Sequence, residues 1–235
     1  MPADKIIKQA RCAAISTAFC ALLIGLIGAL SGFFLLASIP LQAFSSVADI
    51  QKFRDQSSRS KWVDASYLKG AMSRDRRWEQ KREAFLSGGS ASVDLSAAEL
   101  NAWIHTKFPQ PGPASAPEGR LKLFVRPGVP NSFIDATQGI YFNLPVQIKL
   151  YGITFDYLIV ARGRFVESPQ LAFQLDALRV NTAAVPLPGN FGNWLLDRYL
   201  KTYSESDEYH KLQQAWQTLE SVEWVADRIR FNLRG

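Results

Sequence analysis

The sequence predicts an α+β domain suspended from one N-terminal transmembrane helix. Three observations predict it. An uncharged apolar run, Cys12 to Ile39, lies near the start of the chain. From about residue 121 to residue 180, apolar and polar residues alternate, with turn residues between the runs. Helical periodicity flanks that stretch on both sides. Short turns between successive alternating runs imply an antiparallel meander. The expected domain is therefore a curved antiparallel sheet of about five or six strands, packed by helices.

Composition sets the outer limits. The chain has 235 residues, enough beyond the apolar run for one sizeable domain. A charged fraction of 20% and a hydrophobic fraction of 47% argue against wholesale disorder. The net charge of +6 and pI near 9.4 suit lipid headgroups or acidic polymers, and equally an ordinary basic surface. Both cysteines, Cys12 and Cys20, fall inside the apolar run. The rest of the chain therefore has no disulfide, thiolate metal site or cysteine nucleophile.

The apolar run exceeds the roughly 20 residues that cross a hydrocarbon core. It also exceeds the 7 to 15 residues typical of a cleavable signal peptide. The small-x-small site at Ser46, Val47 and Ala48 lies well beyond it. The run reads as an uncleaved signal anchor, in preference to a cleaved signal or a buried helix. Lys5, Lys8 and Arg11 abut its start, whereas Lys52, Arg54 and Arg59 follow at a distance. That proximity favours a cytoplasmic N-terminus. The expected divisions are a cytoplasmic head (1–11), a transmembrane signal anchor (12–39), a juxtamembrane linker and helix (40–90) and an extracytoplasmic α+β domain (91–235). Gly25, Gly28 and Gly32 give the span a small-residue face with one GxxxG, a candidate helix–helix contact.

Beyond the span, residues 61–87 read as a helix ended by Gly88-Gly89. Val93 and Leu95 mark a short strand. Ser96 to Glu99 is an S-x-x-E capping box opening a helix with Leu100, Trp103 and Ile104 on one face. Residues 109–118 form a proline-rich loop. Leu121, Leu123 and Val125 open the first strand of the meander, and PGVPNS turns the chain. Phe142 to Leu150 alternate, with Pro145 arguing for an edge strand or bulge. Tyr151-Gly152 turns the chain into one long strand, residues 153–166. Ser168-Pro169 turns it again. The following strand slips phase near Ala177, which a bulge would explain. Helices follow at about 191–203 and 207–220, the second carrying Leu212, Trp216 and Leu219. Ile229, Phe231 and Leu233 close the chain as a strand.

No catalytic constellation accompanies this architecture. His105 and His210 lie on different helices, and no G-x-S-x-G, P-loop or G-x-G-x-x-G motif occurs. Carboxylate pairs such as Asp75 with Glu79, or Glu205 with Asp207, lie in charge-rich helical surface. The strand residues Lys149, Arg162, Arg164, Arg179, Arg228 and Arg230 form a candidate basic stripe for anionic groups. Catalytic, cofactor and metal sites are expected to be absent.

The order LSAAELNAWI, GIYFNLPVQIKLYG, AVPLPGNFGNWLL and LESVEWVADRIRFNL resembles the YpmS-type family of small, single-pass, membrane-anchored extracytoplasmic bacterial proteins. The resemblance spans residues 95–233. It implies location and domain type, and carries no catalytic residue. The functional expectation is a non-catalytic envelope protein of the inner membrane. Its anchor meets the lipid bilayer through residues 12–39, and its domain binds a partner protein, lipid or anionic envelope component. The alternatives are a structural subunit of a membrane complex associating through its span, or a carboxylate-dependent hydrolase. Nucleic acid is not an expected partner of an exported domain.

Overall fold

The computed structural model describes residues 3–56, 65–107, 123–135, 139–167 and 171–234. Trp62, the loop at 109–118 and the Ser168-Pro169 turn lie outside the described residues. The apolar run belongs to one helix, α1 (Ala3–Ala37), which stops just short of Pro40. Its portion Ile15–Ala37 has a mean hydropathy of 2.5 and is long and apolar enough to cross a membrane.

The segment expected as linker and helix is part of the fold. β1 (Gln42–Phe44) pairs in parallel with β2 (Ser66–Leu68), and α2 (Val47–Gln56) connects toward them. The helix expected over 61–87 is shorter than predicted. Its described part holds β2 and then α3 (Arg77–Ser87), which Gly88 ends in the left-handed conformation. Trp78 and Phe85 of α3 enter the main core.

β3 (Ser92–Ser96) leads directly into α4 (Ala97–Lys107). The capping box forms as its spacing requires. The Glu99 N–H donates to Ser96 Oγ at 3.3 Å, and the Ser96 N–H donates to Glu99 Oε2 at 2.9 Å.

The main sheet has six strands, all antiparallel. These are β4 (Leu123–Pro127), β5 (Asn131–Asp135), β6 (Gly139–Leu150), β7 (Ile153–Glu167), β8 (Leu171–Val180) and β9 (Ala183–Ala184). β6 is an interior strand, contrary to the edge position its proline suggested. It has β7 on one side and β4 and β5, end to end, on the other. The irregularity is in that neighbour: the edge breaks at 128–130, opposite Pro145, and the Gly128 N–H donates to the Pro145 carbonyl at 2.6 Å. The expected phase slip is a bulge at Asp176, since Arg162 pairs with Ala177 but Gly163 pairs with Leu175.

A second sheet, unanticipated, has the order β10 (Leu219–Val225), β11 (Arg228–Leu233), β3. The C-terminal strand is therefore a hairpin, and Leu219 starts a strand instead of ending a helix. α5 (Phe191–Leu200) runs into a 3-10 turn, and α6 (Asp207–Gln217) begins at Ser206, whose Oγ accepts from the Tyr209 N–H.

The register gives the main sheet two unlike faces. Ile140 and Phe142 lie on one. Around Phe142, Phe165 and Phe173 this face is covered by Trp216, Trp224 and Phe231. The opposite face carries Asn143 and Arg179. Asn143 Nδ2 donates to the Leu68 carbonyl at 2.6 Å and Arg179 Nη2 to the Ser66 carbonyl at 3.1 Å, which seats β2 there. The three layers are bolted by buried polar groups. Asn101 Nδ2 donates to the Ala71 and Ser132 carbonyls, and its Oδ1 accepts from the Ser132 N–H and Oγ. Glu208 of α6 accepts from Arg82 of α3 and Trp103 Nε1 of α4.

Candidate functional site

The apolar face of the main sheet does not end where its cover ends. β6 and β7 form a hairpin that extends beyond β8, whose first pairing with β7 is Val180 opposite Ile159. Tyr151 and Gly152, with φ of 49° and 87°, make the two-residue turn. Two positive φ values match the twist of the flanking strands, and Gly152 adopts one without steric cost. With β4 alongside, this projection is three strands wide.

Cross-strand partners share a face in an antiparallel sheet. One face carries Val125, Ile148 and Phe155 in one row, and Pro127, Val146 and Tyr157 in the next. Leu150 pairs with Ile153 nearer the turn. The other face carries Phe124, Lys149 and Thr154 in one row, and Arg126, Gln147 and Asp156 in the next. An amphipathic sheet normally turns its apolar face inward. Here, among the described residues, nothing covers it: Val125 is 48% exposed, Phe155 40%, and Ile153 and Tyr151 61% each. Fully burying one large apolar side chain is worth roughly 1.5–3 kcal/mol, so several such residues left in water are an uncompensated cost. The site is an open face, not an enclosed groove. A cleft of about 380 Å³ opens at the break in the edge strand, lined by Arg126, Gln147 and Asp156 of the polar face and by Gly128, Pro145 and Tyr157 among others. Gln147 Nε2 donates to Asp156 Oδ1, its cross-strand partner, at 3.1 Å.

The projection begins where α1 ends. The final carbonyls of a helix have no partner within it. Here each is satisfied. The Phe34 carbonyl accepts from the Ser38 N–H (3.0 Å) and the Leu35 carbonyl from Ser38 Oγ (2.7 Å). The Leu36 carbonyl accepts from the Ile39 N–H (3.1 Å) and from Thr182 Oγ1 (2.6 Å). The Ala37 carbonyl accepts from Asn181 Nδ2. Asn181 also binds β7 on both sides: its N–H donates to the Leu158 carbonyl and its Oδ1 accepts from the Leu158 N–H, both at 2.8 Å. Its φ of 49° places it in the left-handed region that Asn tolerates. One buried turn residue thus ties the last turn of α1 to the root of the hairpin, and Ala37 is itself buried.

The basic residues do not form one stripe. Lys149, Arg162, Arg164 and Arg179 share the polar face of the main sheet, but Arg228 and Arg230 lie on β11 of the other sheet. Several are engaged. Arg230 donates to both Asp94 oxygens (2.8 and 3.1 Å), and this hydrogen bonding holds the Asp94 carboxyl below its ordinary value. Arg164 pairs with Asp176 at 3.3 Å, and Arg228 lies 3.9 Å from Asp227. Among the described residues, Arg162 Nε is buried without a hydrogen-bond partner. Cβ atoms added at Gly25, Gly28 and Gly32 would meet no atom within 4 Å among the described residues, which leave this face of α1 open. His105 and His210 are exposed, and among the described residues no three His, Cys, Asp or Glu side chains are grouped as a metal would require.

Sequence reasoning missed Glu208, although the signal was present: it stands at helical spacing with Leu212 and Ala215 on the buried side of α6. No family model, curated protein or solved structure matches the chain. The YpmS-type resemblance rests on its short motifs alone.

Proposed function

We propose that this chain is a non-catalytic, single-pass membrane-anchored protein of the cell envelope. Its N-terminus lies in the cytoplasm, its domain outside, and the domain acts by binding through the open apolar face of the β4–β6–β7 projection. One observation carries the reading: an amphipathic sheet shows its apolar side to solvent beside the end of a span-length helix. Lys5, Lys8 and Arg11, next to the apolar run, support the orientation. An apolar partner fits better than an anionic one, because the basic residues are divided between two sheets and several are paired.

Photo-cross-linking in living cells tests this. A benzophenone amino acid at Ile153 should yield adducts, with lipid or with protein, while one at Thr154 on the opposite face should not. Equal yields at the two positions would remove the apolar face as the binding surface. A reporter fused after Gly235 and active only in the cytoplasm would remove the orientation.

A further inference from the structure

We propose that the tip of the β6–β7 hairpin, with β4 beside it, lies in the headgroup–acyl boundary of the membrane that α1 crosses, so that Val125, Ile153 and Phe155 face lipid. This deepens the binding reading above and rests on it. The coupling of anchor to sheet is the first argument. Asn181 and Thr182 bind the last two carbonyls of α1, and Asn181 bridges directly to Leu158. No free tether separates the span from the sheet. At about 3.4 Å per strand residue, Phe155 stands roughly 10 Å and Ile153 roughly 17 Å from Leu158 along β7. Both are within reach of the bilayer surface at which α1 ends.

Chemistry is the second argument. The projection is two-sided in the way an interfacial element must be. Val125, Ile148, Leu150, Ile153 and Phe155 lie on one side, and Lys149, Thr154, Gln147 and Asp156 on the other, where Phe124 of the edge strand is the one apolar residue in their two rows. Tyr151, at the turn, and Tyr157 have an apolar ring and a polar tip, the side-chain type enriched at headgroup level. Lys149 occupies the water-facing side close to the turn, where a cation meets lipid phosphate. A second copy of this chain would also bury apolar surface, but it gives no reason for the face to adjoin the end of the span.

The backbone limits the depth. Beyond Ile159, β7 has no β8 partner, and β4 forms the opposite edge. Unpaired N–H and C=O groups do not enter hydrocarbon. The tip therefore stops at the boundary, with its apolar face buried about 5–10 Å, as in other interfacial elements.

The test uses the full chain with Cys12→Ala and Cys20→Ala, and single cysteines at Ile153, Phe155 or Thr154 carrying a polarity-sensitive fluorophore. The protein is reconstituted at low density in phosphatidylethanolamine–phosphatidylglycerol vesicles. Labels at 153 and 155 should emit blue-shifted and be quenched by lipids brominated near the headgroup, while the label at 154 should report water. Labels at 153 and 155 that report water in these vesicles overturn the lipid contact. If the same labels are then shielded in native membranes, the binding reading survives with a protein as the partner. If they report water there too, both fall. Shielding that appears only as protein density rises assigns the face to a second copy and also overturns the lipid contact.

Discussion

Removing the Glu208 carboxylate should destabilise the domain more than any other single surface-to-core change in its helical layer. Glu208 is buried, and its side chain accepts from Arg82 Nε (2.5 Å), Arg82 Nη2 and Trp103 Nε1 (2.6 Å), joining three helices. Arg82 retains only 12% of its side-chain exposure, so Glu208→Ala would leave its guanidinium with the largely exposed Glu83 carboxylate at 3.3 Å in place of a buried one, and would strand the Trp103 indole N–H out of water. Breaking a buried pair from one side costs about 3–5 kcal/mol. For a domain of this size that lowers Tm by ~10 °C. Glu208→Gln keeps an acceptor for Trp103 and should cost less, ~2 kcal/mol. The dependence on pH adds a second readout. Burial pushes the Glu208 carboxyl up, but its hydrogen bonds to Arg82 and Trp103 outweigh this and leave it below its ordinary value. A carboxyl depressed on folding stabilises at pH values above its unfolded pKa of about 4.3, and that contribution is lost as the pH falls through the folded value. The gap between wild type and Glu208→Gln should therefore be widest near neutrality and close on acidification below about pH 4. Urea unfolding of the full chain in detergent, followed by tryptophan fluorescence across that range, measures both. A Glu208→Ala cost under ~1 kcal/mol, or a gap that ignores pH, would refute the reasoning.

Two further outcomes follow from close contacts. At Gly70 a Cβ would lie 2.0 Å from the Ser132 carbonyl and 2.7 Å from Asn101 Nδ2. Gly70→Ala should therefore cost ~2–3 kcal/mol, read as a lower urea midpoint at unchanged slope. Asn181→Gly keeps the left-handed backbone and the N–H bond to the Leu158 carbonyl, but deletes the side-chain bonds to the Ala37 carbonyl and the Leu158 N–H. It should cost about 2 kcal/mol and speed hydrogen exchange at the Leu158 amide, and unchanged exchange there would remove Asn181 as the link between α1 and the sheet.

Local signals were legible in the sequence. The Ser96–Glu99 box depends on residues three apart, and the Tyr151-Gly152 turn joins two clean alternating runs, so both were readable. β2 was not, because three residues beside a charge-rich helix former carry no periodicity of their own. β10 was hidden because Leu219 continues the helical stripe of Leu212 and Trp216, while the strand is specified by pairing with β11. Pro145 was misplaced because its missing N–H faces the break between β4 and β5, so an interior strand tolerates it. The apolar face illustrates a more general limit. Alternation tells which side of a strand is apolar, but whether another layer covers that side depends on packing between segments far apart in the chain. The basic stripe failed for the same reason, since alternation cannot reveal that Arg228 and Arg230 belong to a different sheet.

The clasp between α1 and the sheet also bears on the order in which the molecule is made. Asn181 and Thr182 lie 144 and 146 residues beyond the carbonyls they bind. Synthesis runs from the N-terminus, so the end of α1 is complete long before its partners exist. Closing a contact of such separation requires the intervening chain to be nearly finished. Docking of α1 onto the β8–β9 turn is thus a late event in biogenesis, and a chain truncated before Asn181 would lack the side chain that satisfies the Ala37 carbonyl, whatever else had folded.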